Sequence, residues 1–131
     1  MKVGITGAGG NVGSTVTSGL KDHFDLTLFD LKPVSGSNES FVPMDCADPT
    51  QVSGKFDGLD ALIHLAANPW PNAAPHQTLR NNFEATSYVF NEAQKAGVKK
   101  IVFASSNFYH EGAVGDFLSG RRKDLISLVE F

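Results

Sequence analysis

The sequence predicts an α/β domain, a three-layer and doubly wound parallel sheet of about five strands with helices on both faces. Two observations carry this prediction. Short apolar runs alternate with helix-patterned segments along the chain, which is typical of βαβ units. A glycine-rich segment follows the first apolar run directly, as expected where a strand turns sharply into a helix. The 131 residues are enough for one hydrophobic core.

The first half of the chain supplies three apolar runs and one helical pattern. Val12, Val16 and Leu20 recur every fourth residue, so a helix with one apolar stripe is predicted from 11 to about 23. Residues 32–40 are rich in Pro, Gly, Ser and Asn and are predicted to form a loop. The predicted strands of this half are 2–6, 26–30 and 40–44.

The second half continues the alternation. Asp48-Pro49 is typical of a helix start, with Asp as the N-cap and Pro in the first turn. A long amphipathic helix is predicted from about 76 to 96, closed by Gly97. The predicted inward residues of the two helices are Val52, Phe56 and Leu59, and then Leu79, Phe83, Thr86, Phe90 and Ala93. The predicted strands of this half are 61–66 and 100–105.

Composition and charge exclude several classes of partner and site. A formal net charge of −3 gives no electrostatic reason to expect nucleic acid or an anionic membrane. No apolar run approaches the roughly 20 residues that a membrane span needs. Cys46 is the only cysteine, which favours a reducing cytoplasm, and the four histidines lack metal-ligand spacing, so no metal site is predicted.

The glycine-rich segment 6–13 (TGAGGNVG) lies between a predicted strand and a predicted helix. Gly7 permits a tight turn, Gly10 lets the backbone approach a diphosphate, and Gly13 allows close packing of helix on strand. The helix that begins near Asn11 directs its free N–H groups and positive dipole end at the phosphates. This context indicates a Rossmann-type dinucleotide site, although a purely structural turn would also need glycines.

Two carboxylates are candidates for contacts with the nucleoside. Asp30 ends the second predicted strand, where a carboxylate accepts both hydroxyls of the adenosine ribose and repels a 2′-phosphate, so it favours NAD over NADP. The alternative is a solvated aspartate at a strand end. Asp45 can accept from the adenine amino group or cap the next turn, and the sequence does not decide between these.

Three further segments indicate a resemblance to a known protein family. Residues 64–67 (HLAA), 82–86 (NFEAT) and 103–107 (FASSN), together with the glycine segment, resemble the extended short-chain dehydrogenase/reductase superfamily, which includes NAD-dependent epimerases and dehydratases. Asn107 directly after two serines resembles the uronate dehydrogenase branch. The resemblance implies NAD as cofactor and hydride transfer at a hydroxyl carbon of a sugar or sugar acid. It also implies a possible homodimer of the full-length protein.

The resemblance also assigns roles to individual positions. Asn82 matches the helix asparagine that supports active-site geometry, and the flanking Phe83 and Ala85 depart from the usual Val and Gly. Ser106 matches the serine that hydrogen-bonds the reacting oxygen and, with Asn107, would contact substrate; a strand-end cap is the alternative for the serines. The implied cofactor-binding residues are Gly7, Gly10, Asn11, Val12, Gly13, Asp30, Leu31, Asp45, Cys46, Leu65, Ala66, Ala67 and Ser105.

Two side chains near these segments have structural interpretations. His64, on a buried strand, is predicted to be a packed histidine rather than a catalytic one. Trp70, between Pro69 and Pro71, lies at the carboxyl edge of the predicted sheet, where a sugar can stack on the indole. A simple anchor for the loop is the favoured interpretation of Trp70.

The family's general acid/base is missing from the sequence. Its members carry a Tyr-x-x-x-Lys pair after the serine, but Tyr88 is followed four residues on by Glu92, and Tyr109 by Ala113. Residues 1–107 are therefore expected to be an NAD-binding core, and 108–131 an irregular tail that ends in an apolar run and looks truncated. The two resulting hypotheses are the cofactor part of a sugar dehydrogenase or epimerase and a stand-alone, non-catalytic NAD-binding module.

Overall fold

A computed structural model describes residues 1–34, 36–105 and 118–120 and contains a single parallel sheet over that part of the chain. The strands lie in the order β3-β2-β1-β4-β5, and each neighbouring pair is parallel. This confirms the predicted Rossmann-type sheet of about five strands. The strands are β1 (Lys2–Thr6), β2 (Asp25–Asp30), β3 (Ser40–Pro43), β4 (Ala61–His64) and β5 (Lys100–Phe103).

The connections between the strands contain the helices. A π-helical segment, Leu79–Glu84, joins two of them into one continuous rod. Asp48 caps its helix as predicted, because its side chain accepts from the N–H of Thr50 at 2.9 Å. None of the described helices is long and apolar enough to cross a membrane. The α-helices are α1 (Asn11–Leu20), α2 (Pro49–Val52), α3 (Pro75–Thr78) and α4 (Ala85–Lys95).

The core lies on both faces of the sheet, which makes the fold doubly wound. On one face, Ile5 and Leu28 are fully buried beside α1, and Val16 packs against them. On the other face, Phe29 packs edge to face on Phe56 with ring centroids 5.4 Å apart, and residues of α2 and α4 complete the cluster. The side chains of β2 alternate between these clusters, and β1 contributes Val3 and Ile5 to the first, so both strands are largely buried.

The chain order reverses beside β1. Crossovers run from β1 outward to β2 and β3, and then return to β4 and β5 on the other side of β1. Loops that leave neighbouring strands in opposite directions open a crevice at the carboxyl ends of those strands. The predicted glycine segment follows β1 directly and therefore lies at this crevice.

The predicted apolar stripe of the first helix is partly wrong. Val12 is 61% exposed, and the buried positions of α1 are Gly13 and Thr17. The missing side chain of Gly13 lets α1 lie against the preceding loop, and this close approach sets which face of the helix is buried. The helix also ends at Leu20, three residues before the predicted end, and β3, β4 and β5 end one or two residues early.

The predicted continuous α-helix over 76–96 is also wrong in part. The N–H of Ala85 donates to the carbonyl of Arg80, five residues back, which is the hydrogen bond of a π-helix. A π turn holds an extra residue and rotates the apolar stripe, so Leu79 is 53% and Phe83 is 73% exposed. Beyond the π segment, the buried residues of α4 are Ala85, Val89 and Ala93.

Candidate functional site

The glycine segment between β1 and α1 is held between the ends of two neighbouring strands. Gly7 has a φ of +69°, and its N–H donates to the carbonyl of Phe29 at 2.9 Å. A Cβ on Gly7 would lie 2.6 Å from the amide nitrogen of Ala66 after β4. At Gly13, a Cβ would lie 2.1 Å from the carbonyl oxygen of Gly7. Both positions therefore require glycine, as the sequence predicted for a tight turn and a close helix contact.

Gly10 differs from these two, because the space beside it is largely open in the part of the chain that the structure describes. It is the N-cap of α1 with extended backbone (φ −72°), and a built Cβ meets, among those residues, only the Gly7 carbonyl oxygen at 3.3 Å. The first turn of α1, which includes Asn11 and Val12, carries no acidic side chain, and no side chain caps it. The free N–H groups and the positive dipole end of the helix are therefore available to an anion.

Asp30 is bound to the glycine segment. Its Oδ2 accepts from the N–H of Gly9 at 2.9 Å, and its Oδ1 accepts from the N–H of Leu31 at 2.7 Å. The carboxylate thus lies at the end of β2 with each oxygen oriented by one backbone donor, and Leu31 beside it is 68% exposed. Each carboxylate oxygen keeps further acceptor capacity, so the group can still bind a pair of hydroxyls.

Asp45 follows β3 and both caps a turn and forms an ion pair. Its Oδ1 accepts from the N–H of Ala47 at 2.9 Å, which is the capping alternative left open by the sequence. Its Oδ2 lies 2.7 Å from Nη2 of Arg80, a residue of the π-helical segment. Nothing in the sequence pattern indicated this pair, which joins the β3 end to the segment that follows β4 across the carboxyl edge of the sheet.

Cys46, next to Asp45, is buried against the same crevice. Burial, with a smaller contribution from the negative charge of Asp45, raises the pKa of its thiol to about 12. The thiol is therefore neutral at physiological pH and lines the crevice as a small apolar group. A neutral group at this position adds no negative charge to the crevice.

These residues surround a cavity of about 740 Å³ at the carboxyl edge of the sheet. Its size is in the range of small-molecule and cofactor sites. The sequence-predicted residues that line it are Gly7, Gly10, Asp30, Leu31, Asp45, Cys46, Leu65, Ala66 and Ala67. Pro69 of the predicted loop at the carboxyl edge also lines the cavity. Further lining residues that sequence reasoning missed are Gly9, Lys32, Pro33, Met44, Ala47, Asn68, Asn81 and Ala85.

Asn82 holds the loop that follows β4. Its Oδ1 accepts from the N–H of Asn68 at 2.7 Å, and its Nδ2 donates to the carbonyl of the same residue at 3.0 Å. One carboxamide therefore binds both polar groups of one peptide residue, as a neighbouring strand would. This contact fixes the distance between the loop and the π-helical segment, and Asn82 itself does not line the cavity among the described residues.

Trp70 does not anchor its loop as expected, because its side chain is 73% exposed and lines the cavity. The loop is held by polar contacts instead. The N–H of Trp70 donates to Oδ1 of Asn68 at 3.1 Å, and the N–H of Ala73 donates to the carbonyl of Trp70 at 3.1 Å. The indole is consequently a free aromatic face at the edge of the cavity.

His64 is buried and packed, as the sequence predicted. It is 0% exposed, and Phe103 stacks on its ring with centroids 5.6 Å apart. Burial lowers the pKa of the imidazole to about 4, so the ring is neutral at physiological pH. Its nitrogens lie 2.7 Å from Oγ1 of Thr6 and 3.1 Å from Oγ1 of Thr86. These two polar partners were missed by the sequence.

The remaining predicted residues lie at the end of β5. Ser105 is exposed, two residues beyond the strand, and the described part of the cavity does not include it. Ser106 and Asn107 fall outside the described residues. No cluster of three potential metal ligands occurs among positions 1–34, 36–105 and 118–120.

The chain is similar in sequence to a known protein family and to several dehydrogenases. Residues 3–120 match the family model of the NAD dependent epimerase/dehydratase family. An NAD-dependent glucose-6-phosphate dehydrogenase of Haloferax volcanii is 40% identical over 111 residues, which cover 79% of this chain and 42% of that protein. A uronate dehydrogenase of Pseudomonas putida is 34% identical over 128 residues, covering 92% of this chain and 47% of the relative. The chain therefore spans less than half the length of these two relatives.

Solved structures agree with the sequence relatives. The uronate dehydrogenase of Agrobacterium tumefaciens superimposes with a TM-score of 0.72 at 32% identity, over 81% of this chain and 41% of that chain. A variant of the same enzyme, solved in complex with NAD, superimposes equally well. Because the match to the family model covers residues 3–120, most of the chain, this chain belongs to the NAD-dependent epimerase/dehydratase family.

Proposed function

We propose that this chain binds NAD in the cavity at the carboxyl edge of the sheet and is the cofactor-binding part of a dehydrogenase or epimerase acting on a sugar or sugar acid. The observation that carries the proposal is the hydrogen bond from Gly9 to Asp30. This bond holds the glycine segment and the Asp30 carboxylate together at one cavity, which supports assigning the first to the diphosphate and the second to the ribose.

The residues present fit the adenosine and diphosphate parts of NAD. The open space beside Gly10 and the N-terminus of α1 accept the diphosphate. The Asp30 carboxylate accepts the ribose hydroxyls with its remaining lone pairs, and its charge repels a 2′-phosphate. Asp45 and Cys46 line the adenine end of the cavity, where Arg80 restrains the Asp45 carboxylate.

The ends of β4 and β5 form the reacting half of the site in this proposal. Small side chains at Ala66 and Ala67 leave room for the nicotinamide ribose beside the loop. Asn82 fixes the loop above them through Asn68. Ser106, by its match to the family, hydrogen-bonds the reacting oxygen of the substrate. Bound NAD supplies the hydride acceptor, and the protein orients the substrate carbon toward it.

The substrate class rests on the relatives and on Trp70. Glucose-6-phosphate and uronate dehydrogenases are among the similar proteins, and the exposed indole offers an apolar face to the C–H groups of a sugar ring. The alternative is a stand-alone, non-catalytic NAD-binding module. Because neither tyrosine of the chain begins a Tyr-x-x-x-Lys pair, both candidates predict no NADH when the chain is mixed with NAD and glucuronate or glucose 6-phosphate, and NADH formation would exclude the non-catalytic module. The coding sequence that follows Phe131 separates the two: a Tyr-x-x-x-Lys pair within the next few helical turns supports the enzyme, and an immediate stop codon supports the module.

We expect NAD to bind more tightly than NADP, by about tenfold or more, because Asp30 repels the 2′-phosphate. Calorimetric titration measures both affinities. Trp70 is the only tryptophan and lines the cavity, so its fluorescence gives an independent binding signal. Tighter binding of NADP would contradict the role given to Asp30.

The Gly10→Val variant tests whether NAD binds beside Gly10. Among the described residues, a Cβ at position 10 meets only the Gly7 carbonyl oxygen, at 3.3 Å, which requires a shift of a few tenths of an ångström. The variant is therefore expected to fold and, because its methyl groups occupy the space proposed for the diphosphate, to lose most of its NAD affinity. A circular dichroism spectrum and a thermal melt like those of the original chain would verify the fold. Unchanged NAD affinity in a folded variant would place the ligand elsewhere.

A further inference from the structure

His64 is fully buried yet makes a polar contact with each ring nitrogen, and the proposed reaction does not use it. It ends β4, directly opposite Thr6 in the parallel register. Thr6 is the residue before Gly7, and Thr86 is the second residue of α4, just after the π-helical segment. The imidazole therefore bridges the strand that leads into the glycine loop and the helix that follows Asn82.

The donors and acceptors of this bridge form one consistent chain. The Thr86 hydroxyl donates to the carbonyl of Asn82 at 2.6 Å, so its oxygen is left to accept from Nε2–H of His64 at 3.1 Å. Nδ1 is then the unprotonated nitrogen and accepts from the Thr6 hydroxyl at 2.7 Å. The Thr6 oxygen in turn is the acceptor for the N–H groups of Leu65 and Ala66, at 3.3 and 3.4 Å.

The ring cannot turn away from these partners. Phe103 stacks on it with an interplanar angle of 16°, and Phe90 packs on it edge to face with centroids 6.1 Å apart. The two aromatic contacts come from β5 and α4, so they close the ring in from separate elements. A histidine held in one orientation and one tautomer fixes the relative position of its two hydrogen-bond partners.

We propose that His64 is a positioning residue, which holds the Asn82 segment in register with the glycine loop through its hydrogen bonds to Thr6 and Thr86. The functional half of this inference rests on the proposed function, because the glycine loop and the Asn68 loop border the NAD cavity. Through the carboxamide of Asn82, the same series of hydrogen bonds also fixes the position of the Asn68 loop.

The first test is the tautomer of His64 in the unmodified chain, read from the ring 15N and 13C chemical shifts. The neutral Nε2–H form is expected at neutral pH. Finding the Nδ1–H form would overturn the proposal, because His64 could then no longer donate to Thr86. This measurement needs neither a variant nor NAD, so its result is independent of the proposed function.

The second test compares Thr86→Val with Thr86→Ser. Valine keeps the shape of threonine and removes the hydroxyl, whereas serine keeps the hydroxyl and loses a methyl group. In Thr86→Val we expect the Asn68 amide and the Asn82 carboxamide resonances to shift and the NAD affinity to fall about fivefold, which is the fold-change of about one hydrogen bond. Thr86→Ser is expected to restore both.

The outcomes separate the two proposals. If the resonances shift in Thr86→Val but the original chain does not bind NAD, the proposed function is wrong and the positioning role of His64 is supported. If the resonances of Asn68 and Asn82 are the same in Thr86→Val as in the original chain, the positioning role is overturned, whatever the NAD affinity. Equal shifts in the valine and serine variants would also overturn it, because the effect would then come from packing.

Discussion

Gly13→Ala is expected to destabilise the protein by about 1–3 kcal/mol and to abolish measurable NAD binding. A Cβ at position 13 would lie 2.1 Å from the Gly7 carbonyl oxygen and 2.8 Å from Cα of Ala8, distances that real Cβ atoms essentially never show. The atoms it meets belong to the backbone and cannot rotate away. Helix α1 must therefore move off the loop, and its N-terminus then no longer points at the diphosphate site.

Gly19→Ala is the matched control for this variant. Gly19 lies in the same helix, and a Cβ there has nothing within 4 Å. Alanine is the better helix former, so this variant is expected to gain up to about 1 kcal/mol and to keep its NAD affinity. Urea unfolding and calorimetric titration of both variants give the comparison. A Gly13→Ala protein as stable as Gly19→Ala, with NAD affinity intact, would show that the helix does not need this close approach.

The elements and the glycine positions could be predicted because they leave local signals. A strand buried on both faces is a continuous apolar run, and such a run marked β1 and β2 correctly. A backbone with positive φ strongly favours glycine, so the position of Gly7 could be predicted from its place directly after the first apolar run. The position of Asp30 at the crevice could be predicted as well, since it depends only on where the second strand ends.

The phase of the long helix could not be predicted, because a π turn has no signature in apolar spacing. Leu79, Phe83 and Phe90 fit an α-helical stripe, yet the extra residue in Leu79–Glu84 turns the first two outward. The exposed Val12 is a related case. The missing side chain of Gly13, rather than the larger side chains, decides which face of α1 lies against the loop.

The long-range polar contacts could not be predicted from the sequence either. Asn82 and Asn68 are 14 positions apart and Arg80 and Asp45 are 35 apart, so no helical or strand period connects them. Each pair forms only after the loops that leave neighbouring strands reach the same edge of the sheet. The role of Asn82 therefore came from a family resemblance, whereas its partner is visible only in the folded chain.

The free energy of unfolding is expected to fall by about 3 kcal/mol between pH 6.5 and pH 4 because of His64 alone. Burial lowers the pKa of this side chain from 6.5 to about 4 in the folded state. As the pH falls through this window, the unfolded chain takes up the proton first, so the unfolded state gains stability. The contribution is fully present above pH 6.5 and is lost as the pH falls toward 4. Among the described residues, the hydrogen-bond and ring contacts of this side chain are all uncharged: Thr6, Thr86, Phe90 and Phe103.

His64→Gln isolates this contribution from the carboxylates, which titrate near the lower end of the same range. Glutamine removes the titrating group, so the variant is expected to be less stable at pH 7 and to lose less stability on acidification. The measurement is the unfolding free energy from urea titrations at several pH values, and the decisive quantity is the difference in slope between the two proteins. Parallel pH profiles would mean that His64 takes up its proton equally well in the folded and unfolded chains. That result is incompatible with a neutral imidazole enclosed between Phe90 and Phe103.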